Sequence, residues 1–291
     1  MAEALQLGYS FWPVPALHFL TQQPHELPAP ALIVPCSFSR RPLMIGLVSI
    51  STLLVVARWA GLLLHSFSSY SSLKGTIPLF ELGDEANVPT YFSSFFLLIA
   101  AVSVAAVASA KSQLRDRNRS AWWGLAAVFF LLSLDETAHV HEWSANVVRP
   151  LVGSKGIFSY AWVACGLVFV LGCGVAFARL LFSLPRAVLL QFVFAGVLYL
   201  GGALGLEIVE GYYDRLHGHD FGYGVLVNTE ETLEIAGTLL FVHAVLGYLM
   251  QTVEGFQLQW TRPTGTAVRM AAEQPSSQSA TSSRQVPALR R

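Results

Sequence analysis

The amino-acid sequence predicts an all-α fold: a polytopic membrane helical bundle of about six transmembrane helices, with both termini cytoplasmic. Three observations carry that reading. Of the 291 residues, 54% are hydrophobic and only 12% are charged, with a mean hydropathy of +0.53; a soluble domain carries roughly 25% charged residues. Several apolar runs reach the roughly 20 residues that a spanning helix needs. Basic residues gather on alternate connections between those runs. Backbone groups in lipid must be satisfied within their own segment, so helices are the natural form, and unbroken apolar runs lack the alternation of barrel strands.

Taken in order, residues 1–42 are an N-terminal extra-membrane segment punctuated by Pro13, Pro15, Pro28, Pro30 and Pro35. No basic region precedes a short apolar core there, so the first span is expected to serve as an uncleaved anchor. Residues 43–252 form the transmembrane domain, with spans at 43–65, 90–110, 121–141, 157–181, 187–209 and 232–252. Residues 253–291 are a cytoplasmic tail, rich in Ser, Thr, Pro, Ala, Gln and Arg from 262 onward, a composition that predicts disorder. Cys36, Cys165 and Cys173 lack metal spacing, and the latter two fall inside the fourth span, which argues against a disulfide framework.

Orientation follows from charge. Arg40 and Arg41 precede the first span, and Lys111, Arg115, Arg117 and Arg119 separate the second from the third. Arg179 and Arg186 flank the next turn on that side, and five arginines occupy the tail, which makes 13 of 18 basic residues. Lys74, Arg149, Lys155 and Arg215 fall on the other side, and Arg58 lies within the first span. The positive-inside rule then places both termini in the cytoplasm. The acids show the reverse bias, 13 of 18 mapping to the outer half. A formal net charge of zero gives no reason to expect a nucleic-acid partner; membrane lipid is the expected one.

Those acids mark the candidate site. Ionisable groups near hydrocarbon depth are costly and usually have a partner or a job. In the third span, Asp135, His139 and Glu142 share one stripe if the helix continues, whereas an unwinding near Ala138 would redirect His141. Asp135, Glu136 and Glu142, and likewise Glu207 and Glu210, sit at outward C-terminal helix ends, where the dipole disfavours acids by a few tenths to about 1 kcal/mol. Capping does not account for them; a cation, a histidine partner or a proton does. Asp84-Glu85-Ala-Asn87-Val-Pro89 reads as a helix start with proline in the first turn, and Asn228-Thr-Glu-Glu231 as an N-cap with an acid three later, so Asp84, Glu85 and Glu230 have a structural explanation. Glu234 lies deeper. Gly201 and Gly205 form a small-xxx-small pair for close helix approach. His217 and His219 read as a solvated loop, and tryptophans near segment ends, Trp162 among them, as interface anchors.

The stretches Asp84-Glu85-Ala-Asn87-Val-Pro89-Thr90-Tyr91-Phe92-Ser93-Ser94, Ser133-Leu-Asp135-Glu136 followed by His141-Glu142, and Glu230-Glu231-Thr-Leu233-Glu234 together resemble a group of uncharacterised bacterial multi-pass membrane proteins. In that group Asp-Glu precedes His-Glu by four intervening residues, which shifts weight from His139 to His141. The resemblance supports a site but implies no reaction. A more distant similarity is to the alkaline ceramidase-like membrane hydrolases, where Ser133, Asp135 and His141 would correspond; the closely spaced histidine pair of their zinc site is lacking here.

Three readings stand. In the first, a divalent metal (Zn, Fe or Mn) is held by Asp135, His141, Glu142, Glu207 and Glu234, with Glu136, Glu210 or Glu231 as general base or in support, in what could be a metal-dependent membrane enzyme. In the second, the same carboxylates serve a proton- or ion-coupled transporter, although no broken helix is visible in the sequence. In the third, they form a buried network in a structural or accessory membrane protein.

Overall fold

The computed structural model describes residues 32–35, 39–67, 87–152, 161–253 and 257–260. Asp84, Glu85, most of the N-terminal segment and the residues from 262 onward lie outside the described residues. Helix α1 is Arg40–Phe67 and α2 is Val88–Gln113. The start of α2 is built as the sequence predicts: the Asn87 side-chain oxygen accepts the Thr90 N–H at 3.0 Å, with Pro89 in the first turn, so one orphan donor of the helix end is satisfied. Helix α3, Arg119–Ala138, follows after a tight turn. In that turn Asp116 accepts the Asn118 N–H at 2.7 Å and faces Lys111 at 3.3 Å; the first contact above all holds its carboxyl below the usual range.

Helix α4, Val140–Val152, leaves α3 at a bend of 92°. Helix α5 is Trp162–Phe182 and α6 is Arg186–Leu200. The latter continues through a π-helical segment, Gly201–Leu206, into α7, Glu207–His217. Helix α8, Phe221–Thr252, is 32 residues long, the same length as the fused run from Arg186 to His217. A separate unit contains a two-stranded antiparallel ladder of β1, Leu32–Pro35, and β2, Gln257–Trp260, with Leu32 opposite Trp260 and Pro35 opposite Gln257. The expected tail thus includes one strand.

Helix α8 is the hub of the bundle and packs against α1, α2, α6 and α7, while α2 and α3 form an antiparallel hairpin. Val104, Val107 and Ala108 of α2, Trp122 of α3, Phe192 of α6, and Val242 and Val245 of α8 are buried in one core. The Trp122 ring stacks on Tyr248 at 5.4 Å and Phe129 on Phe241 at 4.3 Å. Two serines clamp the α2–α3 hairpin: Ser94 Oγ donates to the Ser133 carbonyl at 2.7 Å and Ser133 Oγ donates to the Ser94 carbonyl at 2.8 Å. Small hydroxyl residues let helices approach closely and bond in lipid. This accounts for Ser94 and Ser133 of two of the quoted sequence stretches. It also commits Ser133 to helix pairing, apart from Asp135 and His141.

Five of the helical runs are long and apolar enough to cross a membrane, and α3 with α4 supplies a sixth. Parity supports the sixth. Helix α1 runs antiparallel to α8: a Cβ on Gly247 would meet the Arg40 guanidinium, and Arg58 pairs with Glu231. The first and last crossings therefore begin and end at the same end of the bundle, which requires an even number. The protein is a multi-pass helical membrane protein.

Three spans differ from the sequence expectation. The third ends at Ala138, because His139 adopts a left-handed conformation (φ 52°, ψ 41°) and caps α3, a C-cap geometry that stops helices. The fifth runs on to His217 through the π segment. The sixth begins at Phe221 rather than 232. Its N-cap is Asp220, whose carboxylate accepts the Tyr223 N–H at 3.0 Å, while Asn228 is buried inside the helix at 1% exposure. The apolar residues Phe221, Tyr223, Val225, Leu226 and Val227 extend the helix despite two glycines. Glu230 and Glu234 therefore sit roughly 14 and 20 Å along α8, beyond the reach of the N-terminal dipole.

Candidate functional site

The bend after α3 creates the first half of the site. Because the helix breaks at His139, Asp135 is free to turn to the next helix: its Oδ1 accepts the His141 backbone N–H at 2.8 Å and its Oδ2 faces His141 Nδ1 at 3.0 Å. One carboxylate thus caps α4 and orients an imidazole. Sequence spacing set Asp135 beside His139 and Glu142, and an unwinding near Ala138 together with the resemblance pointed to His141, while the dipole argument that ruled out capping missed the start of a second helix. The Trp162 ring lies 4.8 Å from the His141 ring, and its indole N–H donates to Glu207 Oε1 at 3.1 Å. Trp162, expected as an interface anchor, instead links the Asp135–His141 pair to α7.

The second half comes from α7 and α8. The π turn widens the helix just before Glu207; one inserted residue rotates all that follows by about 100°, and such segments favour functional sites. Glu207 and Glu210 then face Glu230. One carboxylate oxygen of each lies within 4.8 Å of those of the other two. Glu210 is 3% exposed, and its Oε1 has no hydrogen-bond partner. Oxygens about 2.1–2.5 Å from a shared ion lie at most about 4–5 Å apart, so this set has the dimensions of a hard-cation site. Among the described residues it is the group of three such side chains that converges this closely.

Both halves line one cavity of about 1040 Å³. Asp135, Glu136, His141, Glu207, Glu210, Glu231 and Glu234 all border it, so the structure brings together the residues that the sequence singled out, with one exception: Glu142 is placed in α4, but its side chain lies outside the described residues. Their grouping is finer than expected. Glu234 and Asp135 are not in the three-oxygen cluster, whereas Glu210 and Glu230 are. The sequence offers Glu230 a structural role beside an N-cap at Asn228, but the cap is Asp220, ten residues before Glu230. Glu231 is engaged by Arg58, and Glu136 and Glu234 lie within electrostatic reach of Glu231 and of each other. Sequence reasoning also missed Arg58 as a site residue, although a lone charge inside an apolar span is itself a signal. His219 Nε2 lies 3.1 Å from Asp214 Oδ1 and its ring stacks on Tyr223, and His219 is not among the residues that line the cavity.

A helical bundle with a carboxylate-lined cavity at one end defines a class: multi-pass membrane proteins with an intramembrane polar site. Within that class the chain belongs to the family of the domain of unknown function DUF8692, which matches residues 47–249. The matched region runs from α1 into the last turns of α8 and includes every residue of the site. No curated protein and no solved structure matches the chain.

Proposed function

We propose that this protein is a divalent-cation-dependent enzyme of the bacterial cytoplasmic membrane. The observation that carries the reading is the convergence of Glu207, Glu210 and Glu230 around the unpartnered, buried Glu210 Oε1. Three carboxylates this close repel one another unless a cation or a proton lies between them. An all-oxygen set favours a hard ion, and of the metals first considered, Zn, Fe and Mn, it suits Mn best; Mg and Ca share the same preference. Such an ion would polarise a bound oxygen as a Lewis acid. Across Trp162, Asp135 holds the His141 ring through Nδ1; a carboxylate-oriented imidazole beside a cation has the chemistry of a general base. Glu136, Glu231 and Glu234 border the site as supporting groups.

Melting curves with metal analysis of the detergent-purified protein test this. A ligand at about 100 times its Kd adds about 2.7 kcal/mol, worth roughly 5–10 °C for a domain of this size. The native protein is expected to hold close to one divalent ion per chain and to lose that margin in chelator, with recovery on adding manganese. Glu210→Gln/Glu230→Gln is expected to ignore chelator and to melt above the chelated native protein, since two amides relieve the repulsion. An equal chelator response in both proteins, or none in either, overturns the reading. A second reading, an ion-coupled carrier, draws support from the π segment and the His139 break, irregularities typical of transporter spans; pH-dependent flux in proteoliposomes would favour it.

Cytoplasmic termini belong to the same proposal. Reporter fusions after Gln113, Phe182 and Thr252 are expected to read cytoplasmic, and those after Phe67, Val152 and His217 external. A fusion after Thr252 that reads external overturns the orientation.

A further inference from the structure

The cavity has a second compartment that the cation reading does not use. Below the carboxylates it continues as an apolar arm between α3, α5 and α6, walled by Leu125, Phe129, Phe169, Phe177, Leu181 and Phe192. From Phe169 to Leu181 the arm runs roughly 18 Å along α5, close to the depth of one leaflet, half of the about 30 Å hydrocarbon layer. Two glycines keep it open. A Cβ on Gly174 or on Gly196, both in the cavity wall, would meet nothing within 4 Å. The outer wall is thin as well. Only 6% of the apolar stretch of α5 is buried, against 56% for α8, so little beyond this one helix separates the arm from lipid.

We infer that the arm takes the hydrocarbon chain of a membrane lipid, entering from the bilayer past α5, so that the headgroup oxygens lie at the Glu207–Glu210–Glu230 cluster. The inference rests on the cation reading for the headgroup and on the arm alone for the chain. A pocket that is polar at one end and apolar over the depth of a leaflet matches an amphiphile, and the bilayer is a reservoir of them at the pocket wall. A small water-soluble substrate would leave the apolar arm without a complementary group.

The test uses the full chain reconstituted in vesicles of mixed phosphatidylethanolamine and phosphatidylglycerol, extracted in a mild detergent and weighed by native mass spectrometry. The native protein is expected to retain one phospholipid, and Gly174→Leu and Gly196→Leu to retain at least tenfold less. Leucine is a better helix former than glycine, so neither variant is expected to unfold. Gly172→Leu is the control: it lies on the same helix, its Cβ also meets nothing, but it is outside the cavity wall; it is expected to keep the lipid. Chelator melting of the same four proteins separates the two readings. Equal lipid retention in all four, or retained detergent in place of phospholipid, overturns the inference while an intact chelator shift leaves the cation site standing. Loss of lipid from the arm variants with no chelator shift in any protein upholds the chain in the arm and overturns the cation reading instead.

Discussion

Glu231→Gln is expected to lower the unfolding stability by up to about 3–5 kcal/mol, because it removes the carboxylate paired with a buried charge. Arg58 lies in the C-terminal half of α1 and is 3% exposed; its Nη1 donates to Glu231 Oε2 on α8, and its Nε has no hydrogen-bond partner. An amide in place of Glu231 still accepts a hydrogen bond but removes the carboxylate in contact with the guanidinium inside a membrane span, where Glu136 and Glu234 lie within electrostatic reach but outside contact. The reverse change is milder. Glu231 is 28% exposed and borders the cavity, so Arg58→Met leaves a carboxylate that can turn toward the open side. Removing both charges, as Arg58→Met/Glu231→Gln, is expected to restore most of the loss, as uncharged replacements of buried pairs often do. Chemical unfolding of the four proteins in one detergent closes the cycle. A coupling below about 0.5 kcal/mol, the scatter of independent sites, would show that the pair does not hold α1 to α8.

That pair illustrates what the sequence could and could not reveal. The spans were legible because a bilayer leaves a chain few choices: each apolar run of about 20 residues must close its own hydrogen bonds. The end of the bundle that carries the site was legible for the same reason, since acids inside such runs stand out. Which acids meet was not. Arg58 and Glu231 are 173 residues apart, and no periodicity reports a contact between two helices. The grouping of Glu207, Glu210 and Glu230 depends on two local events, the π turn at Gly201–Leu206 and the start of α8 at Asp220 rather than Asn228. The first changes register by a residue and the second moves an end by eight, and both Asn228 and Asp220 are good caps. At His139 the spacing allowed two outcomes, and the left-handed cap chose the one that turns His141 to Asp135.

Close helix approach gives the other large effect. The small-residue pair expected at Gly201 and Gly205 is not where the helices touch. A Cβ on Gly201 would meet nothing within 4 Å, and one on Gly205 only the Leu200 carbonyl at 3.9 Å. The contact is one face away. A Cβ on Gly237 of α8 would lie 2.6 Å from the Tyr199 nitrogen and 2.8 Å from the Ala195 oxygen, and one on Gly202 would lie 2.8 Å from the Glu230 oxygen. These are main-chain atoms, so no side chain can swing aside and α6 must move from α8. Gly237→Ala is expected to cost about 1–3 kcal/mol, the range for overpacking a fitted interface, or roughly 3–10 °C in melting temperature. Gly201→Ala is expected to be neutral or slightly stabilising, since alanine favours the helix. Gly202→Ala adds a functional consequence. It drives the π segment away from Glu230 and so widens the gap that Glu207 and Glu210 must span, and its chelator-dependent melting shift is expected to shrink even where the protein stays folded. Equal melting of Gly237→Ala and Gly201→Ala would place the crossing elsewhere, and a full chelator shift in Gly202→Ala would uncouple the helix spacing from the carboxylate cluster.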